Sequence, residues 1–310
     1  MPAAGQGPAE AMPTAERRAH GRAVMLMVGA CILWSTAGVV TRLLDAPRSW
    51  EVAFWRSLFA AISMAAILGW TRRRRAWAAV LAIGRAGILS GLMFCAMFTC
   101  FMLALTRTTV ANALVVNSLY PVFAALLGWS VLGMRLPVQS WIAIVAAVAG
   151  MGWMFAAGLG PGLVGTLIAF GVPVAAAVNV VALRKWGSDV DLAPAVLLGG
   201  LLSALLTLPF ALPLEANAHD LALLAALGMF QLAVPCMMLV AASRVLPPAE
   251  VALLTLLEAV LGPLWAWLGV GERPAAATLT GGGIVLLAIA GNELVSLYGP
   301  ARLRRVRALP

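Results

Sequence analysis

Glu258 is the residue whose type and position most clearly indicate chemistry. It lies near the middle of a stretch, 248–270, that otherwise consists mainly of Leu, Val, Ala and Gly. A helix would place Thr255, Gly262 and Trp265 on the same face as Glu258. A charged side chain at the centre of a bilayer costs about 2.5–3.5 kcal/mol on insertion scales, so it needs a partner or a function. Three roles remain open for Glu258: binding a substrate, carrying a coupling proton, or making a structural hydrogen bond to another helix.

The other candidate site residues share one property, which is a polar or amphipathic side chain inside an apolar stretch. They are Trp34, Ser35, Arg56, Asn117, Tyr120, Asn179 and Gln231, together with Thr255 and Trp265 beside Glu258. Arg56 is a candidate for binding an anionic group of a substrate. Polar side chains also hold membrane helices together, so a structural role is the alternative for each of these residues.

The elements that carry these residues are long apolar segments. The chain has 310 residues, of which 63% are hydrophobic and 11% charged, whereas about 25% of the residues in a soluble domain are charged. Segments of this length and composition predict membrane helices, because barrel strands are shorter and alternate in polarity. We predict ten helices, at about 23–43, 50–70, 85–105, 109–132, 138–157, 163–183, 193–213, 220–242, 248–270 and 275–297.

The placement of charge predicts the topology. The net charge is +9, and most of the 21 Lys and Arg residues fall in the two tails and in the loops on the same side as the tails. The positive-inside rule then puts both termini in the cytoplasm. The arginine run 72–75 is expected to face anionic lipid rather than nucleic acid. We expect residues 1–22 to form a short tail without a cleaved signal, and residues 298–310 to form a basic tail.

An internal repeat divides the chain into two halves. The segment 119–122 (Leu-Tyr-Pro-Val) recurs 138 residues later as 257–260 (Leu-Glu-Ala-Val), and 133–135 (Gly-Met-Arg) recurs as 271–273 (Gly-Glu-Arg). The repeats are predicted to cover 23–157 and 163–297, joined by a Gly-Pro break at 158–162. Five helices per repeat is an odd number, so the second copy must enter the membrane from the opposite face. Such inverted repeats usually enclose a site near the midplane at their interface.

These features together resemble the EamA-type branch of the drug/metabolite transporter superfamily. The resemblance extends over about residues 25–295 and rests on Trp34-Ser35, Phe54-Trp55-Arg56, the segment 117–127, Gly133-Met134-Arg135, Leu256-Leu257-Glu258 and Gly271-Glu272-Arg273. The sequence departs from the family pattern at Met134, where Glu is usual, and at Ala259, where Pro is frequent. The resemblance implies an all-α integral membrane protein, with two five-helix bundles around a central cavity, that exports small metabolites or drugs across a bacterial inner membrane.

The residues also limit the competing functions. Both histidines, His20 and His219, lie outside the predicted spans, which excludes an intramembrane Ser–His site. We therefore expect no enzyme activity, no cofactor, no bound metal and no nucleic-acid partner. A passive channel remains an alternative. Soft-metal transport is another, because sulfur side chains suit Cu(I) and cluster in two predicted spans: Met93, Met97 and Cys100, and Cys236, Met237 and Met238.

We predict a secondary exporter of small metabolites, such as amino acids or amphipathic drug-like compounds, that works by alternating access. Its expected partners are a small-molecule substrate and the lipid bilayer, with a proton as the candidate coupling ion at Glu258. The chain is expected to act as a monomer or a homodimer.

Overall fold

A computed structural model of the chain describes residues 14–45, 48–73, 80, 82–134, 136–156, 162–186 and 192–298. Ten helices in these ranges are long and apolar enough to cross a membrane. Their bounds are α1, Thr14–Ser35 and Ala37–Arg42; α2, Ser49–Arg72; α3, Gly84–Leu105; α4, Val110–Asn117 and Tyr120–Leu132; α5, Val138–Ala156; α6, Leu163–Ala169 and Gly171–Trp186; α7, Leu192–Ala211; α8, Ala218–Ala226, Leu227–Ala233 and Val234–Ala242; α9, Pro248–Val270; and α10, Ala276–Tyr298.

The ten predicted helices are thus confirmed. Two of them end alike, because Gly133 after α4 and Gly271 after α9 both adopt the left-handed conformation that terminates a helix. These glycines are the matched positions of the internal repeat. At the amino end, the first helix begins at Thr14, so the last residues of the predicted tail are helical. Most of the predicted joint at 158–162 and the tail beyond Tyr298 lie outside the described residues.

Four of the ten helices are interrupted along their length. The uniformly apolar composition of the corresponding sequence segments does not indicate these interruptions. The break in α1 follows Ser35 and Thr36, whose hydroxyls donate to carbonyls one turn earlier, each at 2.7 Å; such bonds bend helices. Pro121, Pro173 and Pro235 lie in the first turn of the segments that follow the interruptions in α4, α6 and α8, where a missing N–H weakens the helical ladder. Because α1 and α6 correspond in the repeat, broken helices occupy matching positions in both halves, and in inverted-repeat transporters such pairs mark the binding site.

The two halves are inverted with respect to each other. The corresponding helices α2 and α7 pack along each other. Trp50, near the start of α2, stacks on Phe210, near the end of α7, with ring centroids 4.8 Å apart. Further along α2, the hydroxyl of Ser57 lies 2.8 Å from that of Ser203. The two helices therefore run antiparallel, which confirms the predicted inverted repeat.

The same relation holds for α5 and α10, whose backbones approach closely. A Cβ on Gly150 would lie 2.7 Å from the carbonyl oxygen of Gly281. Ser140, near the start of α5, donates to Asn292 in the second half of α10, and Trp153 donates to Thr280 near its start. These small residues permit close packing of antiparallel helices.

The remaining helices form two lobes. Lobe A consists of α1, α8 and α9, and lobe B consists of α6, α3 and α4; within each lobe the first helix packs against the other two. Each lobe thus combines helices from both sequence halves. Between the lobes, α9 packs on the first segment of α4.

The two ends of the bundle differ in charge. The basic end carries the start of α1, the end of α10 and the described cations Arg18, Arg22, Arg72, Arg73, Arg85, Arg184, Lys185 and Arg244. The opposite end, named the clasped end for contacts described below, carries the starts of α2, α4, α6, α8 and α10.

Candidate substrate site and its two ends

Arg56 on α2 is a buried cation with only part of its hydrogen-bonding capacity used. It is 1% exposed. Its Nε and Nη2 atoms donate to the side-chain oxygen of Gln231 at 3.0 and 2.8 Å, and its guanidinium lies 5.7 Å from the centre of the Phe101 ring. Its Nη1 atom is buried and donates to no described atom. The side chain is therefore fixed in place while one donor remains available.

Gln231 holds Arg56 from a π-helical turn of α8. The turn spans Leu227–Ala233, and π turns inside α-helices frequently occur at functional sites. Gly228 in this turn lies so close to α2 that a Cβ there would be 2.8 Å from the carbonyl oxygen of Arg56. The Gln231 amide nitrogen donates in turn to the Trp34 carbonyl in α1, at 3.2 Å. The predicted residues Trp34, Arg56 and Gln231 thus form one connected group from three helices.

Glu258 lies on the protein-facing side of α9. It is 8% exposed, whereas Val260 and Leu268 on the lipid-facing side are 56% and 67% exposed. Its carboxylate interacts electrostatically with Arg56, but the structure contains no direct ion pair between them. Within the described ranges, Glu258 accepts no hydrogen bond. Arg56 and Glu258 are therefore two buried ionisable side chains on different helices, and no hydrogen bond or ion pair joins them.

The other predicted residues of α9 pack against α1 beside this pair. The Trp265 indole donates to the buried hydroxyl of Ser35 at 3.0 Å. The Thr255 hydroxyl donates to the Ala252 carbonyl of its own helix. The bond between Trp265 and Ser35 thus fixes α9 on α1.

The predicted residues of lobe B are placed apart from Glu258. Tyr120 is half-buried, and its electrostatic partners are Arg184 and Glu293, toward the basic end. Asn117 is half-buried, one turn before Tyr120 in α4. Asn179 is 7% exposed and accepts a hydrogen bond of 2.6 Å from Ser90 of α3. The structure brings neither Tyr120 nor Asn179 into hydrogen-bonding contact with Glu258 or Arg56.

Sequence reasoning missed the residues that close the clasped end. Arg42, at the end of α1, forms a 2.7 Å ion pair with Glu272 and donates to the carbonyls of Leu105 and Thr108 in lobe B, both at 2.7 Å. Glu272, after α9, accepts the backbone N–H of Val110, the first residue of α4, at 2.6 Å. Arg42 thus lies at a helix carboxyl end and Glu272 at a helix amino end, the positions that each charge favours. Together these contacts join lobe A to lobe B; they are called the clasp.

Further contacts strengthen the clasped end. Glu51 is fully buried and accepts two loop N–H groups, those of Glu215 and Ala216, both at 2.8 Å. Asn112 of α4 accepts a hydrogen bond of 2.7 Å from Thr278 of α10. The repeated Gly-x-Arg motif marked Glu272 in the sequence, but no pattern indicated that Arg42 would be its partner.

The basic end has no equivalent closure in the part of the chain that the structure describes. The repeat matches Glu272 with Met134, and the Arg184 guanidinium lies 4.0 Å from the Met134 sulfur as Arg42 lies beside Glu272. No hydrogen bond between described residues joins lobe A to lobe B at this end. The helix α9 also packs on the first segment of α4 far more than on the second. Among the described residues, hydrogen bonds therefore join the lobes at the clasped end and not at the basic end.

Two other features bear on the alternatives. A shallow pocket between α4, α5 and α10, lined among others by Pro121, Ser140 and Asn292, lies away from Arg56 and Glu258. Among the described residues, the potential metal-ligating side chains that gather in a group of three are Asp45, His219 and Asp220, in loops at the clasped end. None of the four cysteines belongs to such a group.

Comparison with known proteins identifies one family and one fold. The model of the EamA-like transporter family matches residues 21–156 and 163–293, which coincide closely with the two predicted repeats. No curated protein matches the chain. A protein of known crystal structure shares 21% sequence identity, covers 91% of this chain and 99% of its own, and superposes with a TM-score of 0.64. That similarity supports the same fold.

Proposed function

The chain belongs to the EamA-like transporter family and is a multi-pass membrane transporter of the drug/metabolite type; from this premise we propose that it exports small organic solutes by alternating access. The substrate binds between the lobes, against Arg56, Gln231, Trp34 and Glu258. The lobes then rock about this site and expose it to either end in turn. The family is generally non-enzymatic, and we propose no reaction for this chain.

The observation that carries this proposal is the one-sided closure of an inverted repeat. Two halves related by a two-fold axis in the membrane plane can exchange their roles. The clasp joins the lobes at one end, whereas no hydrogen bond between described residues joins them at the equivalent position of the other end. A carrier stopped in one of its two states has this asymmetry, whereas a channel requires a path that is open at both ends simultaneously.

The direction of transport follows from charge. The positive-inside rule assigns the basic end to the cytoplasm, and in a bacterium the membrane is then the inner membrane. A site that opens toward the basic end takes its substrate from the cytoplasm, which favours export. Glu258 is the candidate carrier of a coupling proton, because it is a buried carboxylate near the middle of α9 that accepts no hydrogen bond within the described ranges.

Counterflow in proteoliposomes tests the proposal. Purified protein is reconstituted, and uptake of labelled L-leucine and of ethidium, as an amphipathic cation, is measured with and without unlabelled solute inside. For at least one of these probes we expect uptake that saturates and that is accelerated several-fold by solute on the far side. Uptake that rises linearly with concentration and ignores the internal solute would overturn alternating access and favour a channel. No uptake of either probe would contradict the proposed substrate classes.

A further inference from the structure

Three side chains that can bind a metal ion meet at the clasped end. Asp45 follows α1, and His219 and Asp220 lie in the first turn of α8. One possible ligand atom from each residue lies within 4.8 Å of those of the other two. Asp45 and Asp220 are 175 positions apart, so no spacing in the sequence indicated this group. The group is separate from the candidate substrate site, since Gln231 lies about three turns further along α8.

Asp220 is a buried carboxylate whose charge is poorly compensated. It is 3% exposed, and no Lys or Arg in the described part of the chain forms an ion pair with it. Its Oδ1 atom accepts the backbone N–H of Asp45 at 2.9 Å. The nearest basic side chain is His219, which Asp220 shares with the carboxylate of Asp45. Buried charges are ordinarily paired or bound to a metal ion, so this burial indicates a cation.

The distances within the group resemble those between ligands of one ion. His219 Nδ1 lies 3.5 Å from Asp45 Oδ2 and 3.8 Å from Asp220 Oδ1. Both distances exceed the roughly 2.7–3.2 Å of an N–H···O hydrogen bond. A tetrahedral ion that binds nitrogen and oxygen at about 2.0–2.2 Å would hold such atoms about 3.4 Å apart. Small side-chain rotations would therefore let all three atoms bind a common ion.

Neighbouring groups hold the two carboxylates in this arrangement. The Asn217 side chain donates to Asp45 Oδ2 at 2.9 Å, and its oxygen accepts the Asp220 N–H at 2.8 Å, which caps the start of α8. Hydrogen bonds of this kind orient the carboxylates of metal sites. The side chains of Asp45 and His219 are 61% and 57% exposed, which gives an ion a path from solvent.

The donor atoms select the class of ion. One imidazole nitrogen and two carboxylate oxygens suit a divalent transition-metal ion such as Zn²⁺, which accepts both kinds of donor. Ca²⁺ and Mg²⁺ prefer shells of oxygen ligands alone. Three ligands from the protein leave the remaining position of a tetrahedral ion to water.

We propose that Asp45, His219 and Asp220 bind a divalent transition-metal ion of the Zn²⁺ class at the clasped end. The ion neutralises the two carboxylates and ties the segment after α1 to the start of α8. Because Arg42 of the clasp lies three residues before Asp45, the ion also fixes the end of the helix that carries this arginine. The site goes beyond the proposed function and does not depend on it.

Calorimetry on the purified full chain in detergent tests the site. The protein is prepared without a polyhistidine tag, treated with a chelator, and titrated separately with Zn²⁺, Mg²⁺ and Ca²⁺. We expect one equivalent of Zn²⁺ to bind at least tenfold more tightly than Mg²⁺ or Ca²⁺, and to raise the midpoint of thermal unfolding. Absence of Zn²⁺ binding, or equal affinity for the three ions, would overturn the proposal.

Matched variants assign the ion to these side chains. Asp220→Asn keeps the shape of the residue and an oxygen that can accept the Asp45 N–H, whereas His219→Gln removes the imidazole. Each variant is expected to weaken Zn²⁺ binding tenfold or more. The control is His20→Gln, which removes the other histidine of the chain, paired with Glu250 at the basic end. Unchanged affinity in His219→Gln, or an equal loss in His20→Gln, would place the ion elsewhere and contradict the site.

The absorption spectrum of bound Co²⁺ decides the question even if the variants do not fold. Thiolate ligands give Co²⁺ intense charge-transfer absorption in the near ultraviolet, whereas nitrogen and oxygen ligands give only weaker visible bands. With the unaltered protein we expect the visible bands alone, and their loss when Zn²⁺ is added. A thiolate band would assign the ion to the free cysteines and overturn the proposal.

Discussion

The clasped end and the basic end occupy equivalent positions in the two repeats and yet are built differently. At the clasped end, Arg42 and Glu272 of lobe A bind the helix ends of lobe B. At the basic end Arg184, near the end of α6, lies beside the thioether of Met134, the position that the repeat matches with Glu272. The two repeats therefore share the same helices. At the basic end, however, the arginine lies beside a thioether instead of the carboxylate that Glu272 provides at the clasped end.

A second difference lies in the backbone donor. Glu272 accepts the N–H of Val110, the first residue of α4. The repeat matches Val110 with Pro248, the first residue of α9, which has no N–H to donate. The basic end thus lacks both the acceptor and the donor of the bond that joins the lobes at the clasped end.

Symmetry of fold therefore does not require equal populations of the two states. In a symmetric carrier both closures would be equally stable. Here the state closed at the clasped end gains charge-assisted hydrogen bonds that its counterpart cannot form. We therefore expect the open-to-basic-end state to predominate in the absence of substrate.

Paired spin labels can measure this balance at both ends. Leu43 in lobe A and Leu163 in lobe B are exposed positions at the clasped end, and Val245 and Trp186 are exposed positions in the same lobes at the basic end. Distances between labels at each pair, in a cysteine-substituted protein that still transports, report the fraction of molecules closed at that end. Molecules closed at the clasped end are called clasped, and each substitution below is expected to change the ratio of clasped to unclasped molecules.

Glu272→Gln is expected to have the largest effect. It removes the ion pair with Arg42 and weakens the bond from Val110. Loss of such a charge-assisted contact costs about 2 kcal/mol, or roughly thirtyfold in the ratio. The matched control is Glu250→Gln in the same lobe, which removes an ion pair with His20 at the basic end. An equal shift in the control, or no shift with Glu272→Gln, would contradict the clasp.

Gly262→Val tests the close approach of the lobes beside the clasp. A Cβ at Gly262 would meet Leu114 of α4. Overpacking of this kind costs about 1–3 kcal/mol, and here it acts only when the lobes are together, so we expect a shift of about tenfold toward the unclasped state. Gly150→Val, which wedges α5 from α10 instead, should lower thermal stability without changing the ratio. A ratio that responds equally to both variants would show that packing in general, rather than this contact, sets the balance.

Thr278→Val is expected to shift the ratio about fivefold in the same direction. It removes the hydrogen bond to Asn112, which is 5% exposed, and one such neutral bond contributes about 1 kcal/mol. Ser140→Ala breaks a similar bond between α5 and α10, away from the interface of the lobes. That variant should leave the clasped-end distances unchanged, and a comparable shift there would contradict a local role for Thr278.

These variants also separate what the sequence can predict from what it cannot. Hydropathy and the repeat predicted the ten spans and the inversion, because each depends on patterns within or between single segments. The bonds between Arg56 and Gln231 and between Arg42 and Glu272 join residues 175 and 230 positions apart. Their formation depends on how helices from different halves align in register, and no periodicity within one segment encodes that alignment.

Tyr120 illustrates the same limit from the other direction. The repeat matches Tyr120 with Glu258 in sequence. Two residues related by a two-fold axis, however, lie close together in space only when both are near that axis. The electrostatic partners of Tyr120 are Arg184 and Glu293, whereas that of Glu258 is Arg56. The departure at Met134 was visible in the sequence, yet its consequence became apparent only when Arg184 was found beside it.

Met134→Glu is the smallest of the predicted changes, and it acts in the opposite direction. It supplies the missing acid beside Arg184 at a position that is 43% exposed. An ion pair this accessible to solvent contributes about 0.5 kcal/mol, so we expect the ratio to fall only about twofold, in favour of closure at the basic end.

The substitution should have a larger effect when α9 can donate a backbone N–H to the new carboxylate, as α4 does to Glu272. The double variant Met134→Glu, Pro248→Ala should therefore shift the ratio further than the sum of the free-energy changes of the two single variants. Met134→Gln, which has a similar shape but no charge, should leave the ratio unchanged. If both glutamate variants instead strengthen the clasped end or change nothing, the missing acid is not what distinguishes the two closures.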